Sequence, residues 1–370
     1  MCCVNCVRLV AVLTCLVTAG RMAAQELQPA RTTEDLNWYD VRDLGVEGQG
    51  WSDTKAPFDR LPARAEKLVR SAVWNLSRNS AGMCVRLTTD APSIHVHWKL
   101  TSPRLEMNMM PASGVSGLDL YVHHEGRWRW LANARPSELE TELRLVNGLT
   151  QAPRHYLLYL PLYNGVEVVE VGVPSSASLS LSELKPRIPR PVVFYGTSIT
   201  HGASASRPGM VHTAILGRWL DCPVINLGFS GNGRMEPEVA QLMAELDASV
   251  FVIDCLPNIV AADVTARTAD VVGILRAKHP QTPIVLVEDR SYADSFLMKS
   301  KRERNLTSRA ALRREFEKLR DAGDANLYYL EGDHLLGDDG EGTVDSSHPT
   351  DLGFMRQAEA FRTILETLVR

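Results

Sequence analysis

The sequence predicts an α/β protein with two parts, a β-sandwich of jelly-roll type followed by a three-layer α/β/α domain on a parallel five-stranded sheet. Three observations lead to this prediction. The first half of the chain has the two-residue period of strands, the second half alternates strands with helices, and the proline-rich residues 184–191 separate them. The expected bounds are residues 30–185 for the sandwich and 190–370 for the α/β domain. A chain of 370 residues is long enough for two domains.

Short strands and turns account for residues 35–184. Residues 94–99 alternate apolar and polar side chains, as expected for a strand with one buried face. Two hairpins are predicted, one over residues 118–131 around His-Glu-Gly-Arg and one over residues 156–171 around Tyr-Asn-Gly. No amphipathic helix is predicted in this half. Many short strands at such spacing favour a sandwich.

Strands alternate with helical patterns in the second half. The predicted strands are 192–195, 223–228, 249–255, 283–287 and 326–330. Apolar residues recur at helical spacing in the intervening segments and after residue 350, and Gly323 is a predicted helix stop. This alternation predicts a parallel sheet between two layers of helices.

Residues 1–24 have the pattern of a secretory signal, with one basic residue, an apolar run and a small-residue exit at Ala24. The pattern predicts a secreted or periplasmic protein. A membrane anchor is the alternative, although the run is short for a span, and no other segment could cross a bilayer. The net charge of −4 without a basic stripe argues against nucleic-acid binding. The oligomeric state is left open.

Three cysteines remain beyond the predicted signal, namely Cys84, Cys222 and Cys255. Cys222 and Cys255 are expected on two strands that flank the central strand. Two strand spacings amount to about 9.6 Å, which exceeds the ~7 Å between Cα atoms that a disulfide can bridge. We therefore expect all three thiols to be free.

A serine and a histidine stand at opposite ends of the second half. Ser198 follows a predicted buried strand and so lies at the carboxyl edge of the sheet, where open α/β sheets bind ligands. Asp345 and His348 lie in a Gly/Asp-rich loop before the last helix. An Asp three residues before a His can bond one imidazole nitrogen and leave the other for a serine hydroxyl. Taken singly, the serine is typical of a turn and His348 of a helix cap.

Four segments together resemble the SGNH (GDSL-like) hydrolases. They are Gly196-Thr-Ser198, Asn226-Leu-Gly-Phe-Ser-Gly231, Asp254-Cys-Leu-Pro-Asn258 and Asp345-Ser-Ser-His348. Upstream, Gly117-Leu-Asp-Leu-Tyr121 resembles the GxDLY signature of the β-sandwich that precedes one bacterial branch of these enzymes. The resemblance implies a flavodoxin-like hydrolase domain over roughly residues 190–370.

The resemblance also implies roles for five residues. Ser198 would be the nucleophile, His348 its base and Asp345 the partner that orients the base. The backbone N–H groups of Ser198 and Gly231 and the side chain of Asn258 would donate to the oxyanion. Fixed donors are needed there because the attacked carbonyl oxygen becomes negatively charged.

The sequence departs from the family pattern at two places. Thr197 replaces the Asp that usually precedes the serine, but that Asp takes no part in acyl chemistry. Residues 256–258, Leu-Pro-Asn, replace the usual Gly-x-Asn-Asp, which bears on how Asn258 is aimed. Residues 288–290 and Arg207 are expected to shape the substrate pocket, because they follow strand ends at the same edge.

The resemblance implies a serine esterase that hydrolyses small acyl esters, acetyl esters of carbohydrates in particular, through an acyl-enzyme. The partner would be a small-molecule or carbohydrate ester, and neither cofactor nor metal is expected. His95 with His97, and the acidic residues 333–341, are weaker metal candidates, because neither has the spacing of a zinc site or an EF-hand. Two alternatives remain: an acyltransferase with the same triad, and an inactive carbohydrate-binding homologue.

Overall fold

The computed structural model of the protein describes residues 27–370, so the predicted signal at residues 1–24 lies outside the described residues. Three β-sheets organise residues 27–370, two of them antiparallel and one parallel. Within that range, no helix combines the length and apolar character that a membrane crossing needs.

The two antiparallel sheets form the predicted sandwich. Their strands are β1 (Arg31–Thr32), β2 (Leu36–Asp40), β3 (Val46–Glu47), β4 (Cys84–Thr89), β5 (Ser93–Leu100), β6 (Leu118–His124), β7 (Arg127–Ala134), β8 (Glu140–Asn147), β9 (Arg154–Tyr159), β10 (Val166–Pro174) and β11 (Leu179–Leu181). One sheet has the order β1-β2-β10-β5-β8. The other has the order β11-β4-β9-β6-β7, with β3 paired to β4.

The apolar alternation of β5 produces the sandwich core. Val96 and Trp98 are fully buried, and they pack with Val171 of their own sheet and with Leu120 and Tyr156 of the facing sheet. The intervening polar residues of β5 are only partly buried. The predicted sandwich is confirmed.

One predicted hairpin is confirmed and the other is wrong. Strands β6 and β7 pair around Glu125 and Gly126, which both have positive φ as a tight hairpin turn requires. Strands β9 and β10 belong to different sheets, so the chain between them crosses the sandwich. Asn164 there is buried and bonds to the backbone of Ser102 instead of forming a hairpin turn. The adjacent Gly165 is needed for close packing, because an added Cβ would lie 2.5 Å from a carbonyl oxygen.

The first half also contains helices that the sequence did not predict, α1 (Ser71–Ser77) and the four-residue α2 (Ala112–Val115). Helix α1 buries Val73 and Trp74 against the core of the α/β half rather than in the sandwich. Seven residues give too few turns for a helical period to stand out from the strand pattern around it.

The third sheet is parallel, as predicted. Its strands are β12 (Val192–Gly196), β13 (Val224–Gly228), β14 (Val250–Asp254), β15 (Ile284–Val287) and β16 (Leu327–Leu330). The order β13-β12-β14-β15-β16 places β12 between β13 and β14. Cys222 precedes β13 and Cys255 follows β14, and all three cysteines of the described chain are free, as predicted.

Helices cover both faces of the parallel sheet. They are α3 (Ser198–His201), α4 (His212–Leu220), α5 (Pro237–Met243), α6 (Ala261–Lys278), α7 (Lys299–Asp321) and α8 (Asp351–Leu368). Alternate residues of β12 face opposite layers: Val193 and Tyr195 pack with α5, α6 and α7, whereas Val192 and Phe194 pack with α4 and α8. The three-layer α/β/α architecture is confirmed.

The GxDLY segment joins the sandwich to the α/β half. Asp119 is fully buried. Its Oδ2 atom forms an ion pair with Arg207 at 2.7 Å and accepts a 2.8 Å hydrogen bond from the Gly209 N–H. Trp130 donates to the other oxygen of the same carboxylate at 2.9 Å. Arg207 therefore joins the two halves through Asp119, and the pocket role that the sequence predicts for it stays a prediction.

Candidate active site

Ser198 is the first residue of α3, directly beyond the carboxyl end of β12. Gly196 is required there because an added Cβ would lie 2.0 Å from the Thr200 hydroxyl oxygen. The Thr197 side chain accepts a 3.3 Å hydrogen bond from the Ile199 N–H and so caps α3. Ser198 is 9% exposed, so it sits in a largely desolvated position.

The structure brings Ser198, His348 and Asp345 into one hydrogen-bonded line. Ser198 Oγ lies 2.8 Å from His348 Nε2, and His348 Nδ1 lies 2.7 Å from Asp345 Oδ2. A proton on Nδ1 satisfies the carboxylate, which leaves Nε2 as the acceptor for the serine proton. The predicted acid, base and serine therefore meet with the geometry of a nucleophile, a base and its orienting partner.

The loop that carries the carboxylate also fixes it. Asp345 Oδ1 accepts hydrogen bonds from the N–H groups of Ser347 at 3.0 Å and His348 at 2.7 Å. The chain turns at Ser346, whose φ of 77° lies in the left-handed region. Thr343 donates to the His348 carbonyl oxygen at 2.8 Å, which anchors the far side of the turn.

Asp345 is held in its charged form. Partial burial raises the pKa of Asp345, but the hydrogen bonds from the backbone and side chain of His348 and from the Ser347 N–H outweigh this effect. The net pKa lies below the ordinary carboxyl value. At neutral pH the carboxylate can therefore stabilise the imidazolium that forms when His348 takes a proton.

Gly231 lies in the loop of residues 229–233, between β13 and α5. Its φ of +68° favours glycine, and an added Cβ would meet no atom within 4 Å. The same loop packs on the end of β12: Phe229 N–H donates to the Gly196 carbonyl oxygen at 2.9 Å. A Cβ on Gly233 would lie 1.8 Å from that oxygen. The loop is thereby held beside the segment that carries Ser198.

Asn258 ends a 3-10 turn, Leu256–Asn258, that follows β14. With its amide oxygen toward the 229–233 loop, it accepts hydrogen bonds from Asn232 N–H at 3.1 Å and Gly233 N–H at 3.3 Å. The opposite orientation would set donor against donor, so this one is assigned from the hydrogen-bond network. The changed sequence of residues 256–258 thus still places Asn258 against the loop of Gly231, with its amide N–H groups left to donate elsewhere.

A buried ion pair lies behind the serine. Thr200 donates to Asp254 Oδ2 at 3.1 Å, and Arg290 donates to the same oxygen at 2.8 Å and to its partner oxygen. Arg290 also donates to Gln357 Oε1 at 2.8 Å, which ties α8 to this cluster. Residues 288–290 are buried, so they contact the protein around the serine, and their expected part in shaping the substrate pocket stays a prediction.

Tyr163 contacts the segment of Ser198 and stacks on His201, the last residue of α3, and no local pattern in the sequence indicates either contact. Tyr163 comes from the sandwich half and donates to the Ser198 carbonyl oxygen at 3.2 Å. Its ring stacks on His201 with centroids 4.0 Å apart. The Tyr-Asn-Gly sequence around residue 163 indicated only a turn, because its contact is to a segment distant in the chain.

Arg60 is a second contribution of the first half that the sequence did not reveal. Its side chain is 1% exposed and donates to the carbonyl oxygens of Asn226 at 3.0 Å and Gly228 at 2.7 Å. It also donates to Asn79 and Leu76 carbonyl oxygens of its own half. Burial lowers the pKa of Arg60 to about 9. This side chain braces the end of β13, from which the Gly231 loop begins.

Side chains from both weaker metal candidates, the histidine pair of β5 and the acidic loop, bond to other protein side chains. His97 lies 2.9 Å from both Glu170 and Glu140, and Asp339 pairs with Arg356 at 2.7 Å. Within residues 27–370, no three or more His, Cys, Asp or Glu side chains are grouped so that they could hold a metal ion.

Comparison with known proteins identifies the family. The GDSL-like Lipase/Acylhydrolase family matches residues 189–366, and the N-terminus of the SGNH-hydrolase type of esterase (GxDLY) matches residues 36–179. A structure described as a GDSL-like lipase, from Bacteroides ovatus ATCC 8483, is 35% identical, with a TM-score of 0.86. The match covers 90% of this chain and 98% of that one. The chain belongs to the GDSL-like lipase/acylhydrolase family. It is an esterase of the SGNH type.

Two other solved structures share the fold of this esterase at lower identity. The salicylyl-acyltransferase SsfX3 from a tetracycline biosynthetic pathway is 22% identical over 92% of this chain and 100% of its own, with a TM-score of 0.72. The acetyl xylan esterase Est2A from the rumen bacterium Butyrivibrio proteoclasticus is 13% identical over 90% and 98%, with a TM-score of 0.54. No curated protein matches the chain.

Proposed function

We propose that this esterase removes small acyl groups, acetyl in particular, from carbohydrate esters through an acyl-enzyme on Ser198. The observation that supports the proposal best is the line from Ser198 Oγ to His348 Nε2, 2.8 Å, and from His348 Nδ1 to Asp345 Oδ2, 2.7 Å. A serine hydroxyl is a weak nucleophile until a base takes its proton. This line supplies that base and fixes its orientation.

The proposed reaction has two halves. Ser198 Oγ attacks the ester carbonyl carbon while its proton passes to His348, and the carbonyl oxygen becomes an oxyanion held by the N–H groups of Ser198 and Gly231 and the amide of Asn258. The intermediate collapses as His348 protonates the leaving alcohol. Water, deprotonated by His348, then attacks the acyl-enzyme, and the proton returns to Ser198 Oγ as the carboxylic acid leaves. Each oxyanion donor is expected to contribute on the order of 10²–10³ in turnover.

The domain bounds and the location of the protein are part of the proposal. We assign residues 30–185 to the sandwich domain and 190–370 to the hydrolase domain. The signal pattern of residues 1–24 supports secretion or export to the periplasm. The carbohydrate substrate draws support from the fold shared with an acetyl xylan esterase.

The test is hydrolysis of a panel of acetylated sugars and short p-nitrophenyl esters by the purified protein. Ser198→Ala is expected to abolish p-nitrophenyl acetate turnover and fluorophosphonate labelling, with little change in the thermal midpoint. Ser180→Ala, which changes an exposed serine of β11, is the matched control and should retain both. Turnover by Ser198→Ala at a rate near that of the original protein would contradict the assignment.

Acyl transfer is the second candidate, favoured by the fold shared with SsfX3. The two activities differ in whether water or an alcohol resolves the acyl-enzyme. Acceptor alcohols added to the assay separate them, because a transferase forms new ester where a hydrolase forms free acid. An inactive carbohydrate-binding protein would show neither product, and a fluorophosphonate would not label Ser198.

A further inference from the structure

A cleft lies between the two halves of the molecule, away from the candidate active site. Its volume is about 480 Å³, within the range of small-ligand sites, and its walls come from the β6–β7 hairpin, the end of α4 and α8. Trp219 stands at the end of α4, shortly before β13 begins, so the cleft adjoins the amino edge of the parallel sheet. Ser198 stands beyond the carboxyl end of β12. The cleft is therefore at the opposite edge from the candidate active site.

Two indole rings line this cleft. Trp219, from the α/β half, is 37% exposed, and Trp128 comes from β7 of the sandwich. The His123 ring lies 5.1 Å from that of Trp128, edge to face, and Arg362 lies 5.7 Å from the Trp219 ring centroid. Arg86 also lies 5.2 Å from the Trp128 ring centroid. These neighbours restrict the motion of both rings and cover part of them, and the exposed remainder of each indole is apolar surface with a polar N–H at its edge.

The charge around the indoles is mainly positive. Arg127, Arg218 and Arg362 line the cleft, and Asp221 is its one acidic lining residue within the described chain. Asp221 accepts a 3.0 Å hydrogen bond from a backbone N–H, that of Arg187. Arg362 has an exposed partner, Glu366, at 3.4 Å, and Arg218 is held 4.0 Å from the Tyr121 ring centroid. Guanidinium groups pair with carboxylates in a planar, two-bond geometry.

We infer that this cleft binds an acidic oligosaccharide, with a hexuronate ring against the indoles of Trp128 and Trp219 and its carboxylate on Arg127 and Arg362. Flat, partly apolar sugar faces suit indole platforms, and the carboxylate explains why arginines rather than neutral polar groups surround them. The cleft lies at the opposite edge of the parallel sheet from Ser198 and does not depend on its chemistry. It would hold an acidic polysaccharide while an ester on another part of the same polysaccharide, or on a neighbouring polysaccharide, is hydrolysed at Ser198.

Calorimetric titration of the full chain tests the inference. The probes are an oligogalacturonate and a neutral oligosaccharide of the same length, each titrated into the original protein and into Ser198→Ala. The acidic probe should bind both proteins equally and more tightly than the neutral probe, and raised salt should weaken it. Trp219→Ala should weaken binding roughly tenfold. Arg362→Gln should weaken the acidic probe about fivefold and leave the neutral probe unchanged.

Controls separate this site from the active site and from general charge. Arg314→Gln removes an exposed arginine of α7 and should change neither affinity. Hydrolysis of p-nitrophenyl acetate should stay the same in Trp219→Ala and Arg362→Gln. Equal affinity for both probes, or acidic-probe binding that both cleft variants retain, would overturn the inference. Loss of esterase activity in every protein, with probe binding intact, would refute the proposed function alone.

Discussion

Asp345 uses its two oxygens for two different tasks. Oδ1 receives the backbone N–H groups of Ser347 and His348, which fixes the carboxylate to its loop, and Oδ2 receives His348 Nδ1, which fixes the imidazole. The first set of contacts holds the turn of residues 345–348 in shape, and the second is part of the hydrogen-bonded line from Ser198 through His348 to Asp345. A substitution of Asp345 that keeps its shape but removes its charge should therefore leave the loop folded and impair only the hydrogen-bonded line to His348 and Ser198.

Asp345→Asn is expected to lower kcat for p-nitrophenyl acetate by on the order of 10⁴, because an amide cannot hold the required tautomer or stabilise the imidazolium. KM should change little. Steady-state kinetics measure the effect, and Asp338→Asn, an exposed carboxyl of the neighbouring acidic loop, serves as the control. A loss of less than tenfold would rule out Asp345 as the partner of the base.

His212 shows how a buried residue outside the site governs acid stability. Its ring packs with Phe194, Phe354 and Phe361, and neither ring nitrogen has a hydrogen-bond partner within the described protein. Burial, and then the charge of Arg290, lower the pKa of His212 well below the ordinary value. The unfolded chain therefore binds a proton near pH 6.5 that the folded chain does not, and stability is lost as pH falls below that value.

His212→Phe should remove this loss. Relative to the original protein, the free energy of unfolding of the variant should rise by about 1.4 kcal/mol between pH 7.5 and pH 5.5. Urea unfolding at the two pH values measures the difference. His124→Gln, at an exposed histidine, should show no such gain. A constant difference between His212→Phe and the original protein at both pH values would mean that His212 takes up its proton in the folded state.

At the scale of elements, the sequence predicts features that are determined by neighbouring residues and misses those that are determined by contacts between distant segments. The strands of the parallel sheet were predicted to within two residues, because strands buried on both faces are continuous apolar runs. Ser198, Asp345 and His348 could be proposed as site residues because they stand at a strand end and in a Gly/Asp-rich loop, and because their segments, with two others, resemble in order those of the hydrolase family. Tyr163 and Arg60 could not, because their function comes from contacts across the two halves. The sequence does not predict that residues 160–165 cross from one sheet of the sandwich to the other. Asn164 and Gly165 resemble a hairpin turn, but here they pack against neighbouring backbone.

The clearest consequence at this scale concerns Arg60 and the end of β13. Arg60→Met keeps the bulk of the side chain but leaves the Asn226 and Gly228 carbonyl oxygens without their donor. Unpaired buried polar groups cost about 1–3 kcal/mol each, and the cheapest relief is movement of the strand end. The 229–233 loop would then shift, and kcat is expected to fall about 10- to 100-fold, less than for outright loss of an oxyanion donor.

Two measurements separate positioning from general instability in Arg60→Met. Fluorophosphonate should still label Ser198, because the substitution does not touch Ser198 and His348, the proposed nucleophile and base, while kcat falls and KM stays nearly constant. Arg64→Met is the matched control, because Arg64 lies in the same segment but pairs on the surface with Asp53 and Glu245. Unchanged kcat in folded Arg60→Met would show that the strand end needs no such brace.

The two halves form one structure rather than two beads on a linker. Residues of the first half, among them Leu61, Val73 and Trp74, belong to the same buried cluster as the parallel sheet. Arg60 reaches the end of β13, and Asp119 receives Arg207. The sandwich therefore supports the fold of the hydrolase half directly, whatever it contributes to substrate binding.

Asp119 tests how much that junction contributes. Desolvation raises the pKa of Asp119 despite the opposing charge of Arg207, so the carboxylate depends on its partners to remain ionised. Asp119→Asn leaves Arg207 half-buried without a counter-charge, and breaking such a pair is expected to cost about 3–5 kcal/mol of the free energy of unfolding. The double variant Asp119→Asn/Arg207→Met, which also removes the stranded cation, should be more stable than Asp119→Asn alone. Chemical denaturation measures the free energy of unfolding of the double variant and of both single variants. If the loss in the double variant equals the sum of the losses in Asp119→Asn and Arg207→Met, the two side chains stabilise the junction independently rather than as a pair.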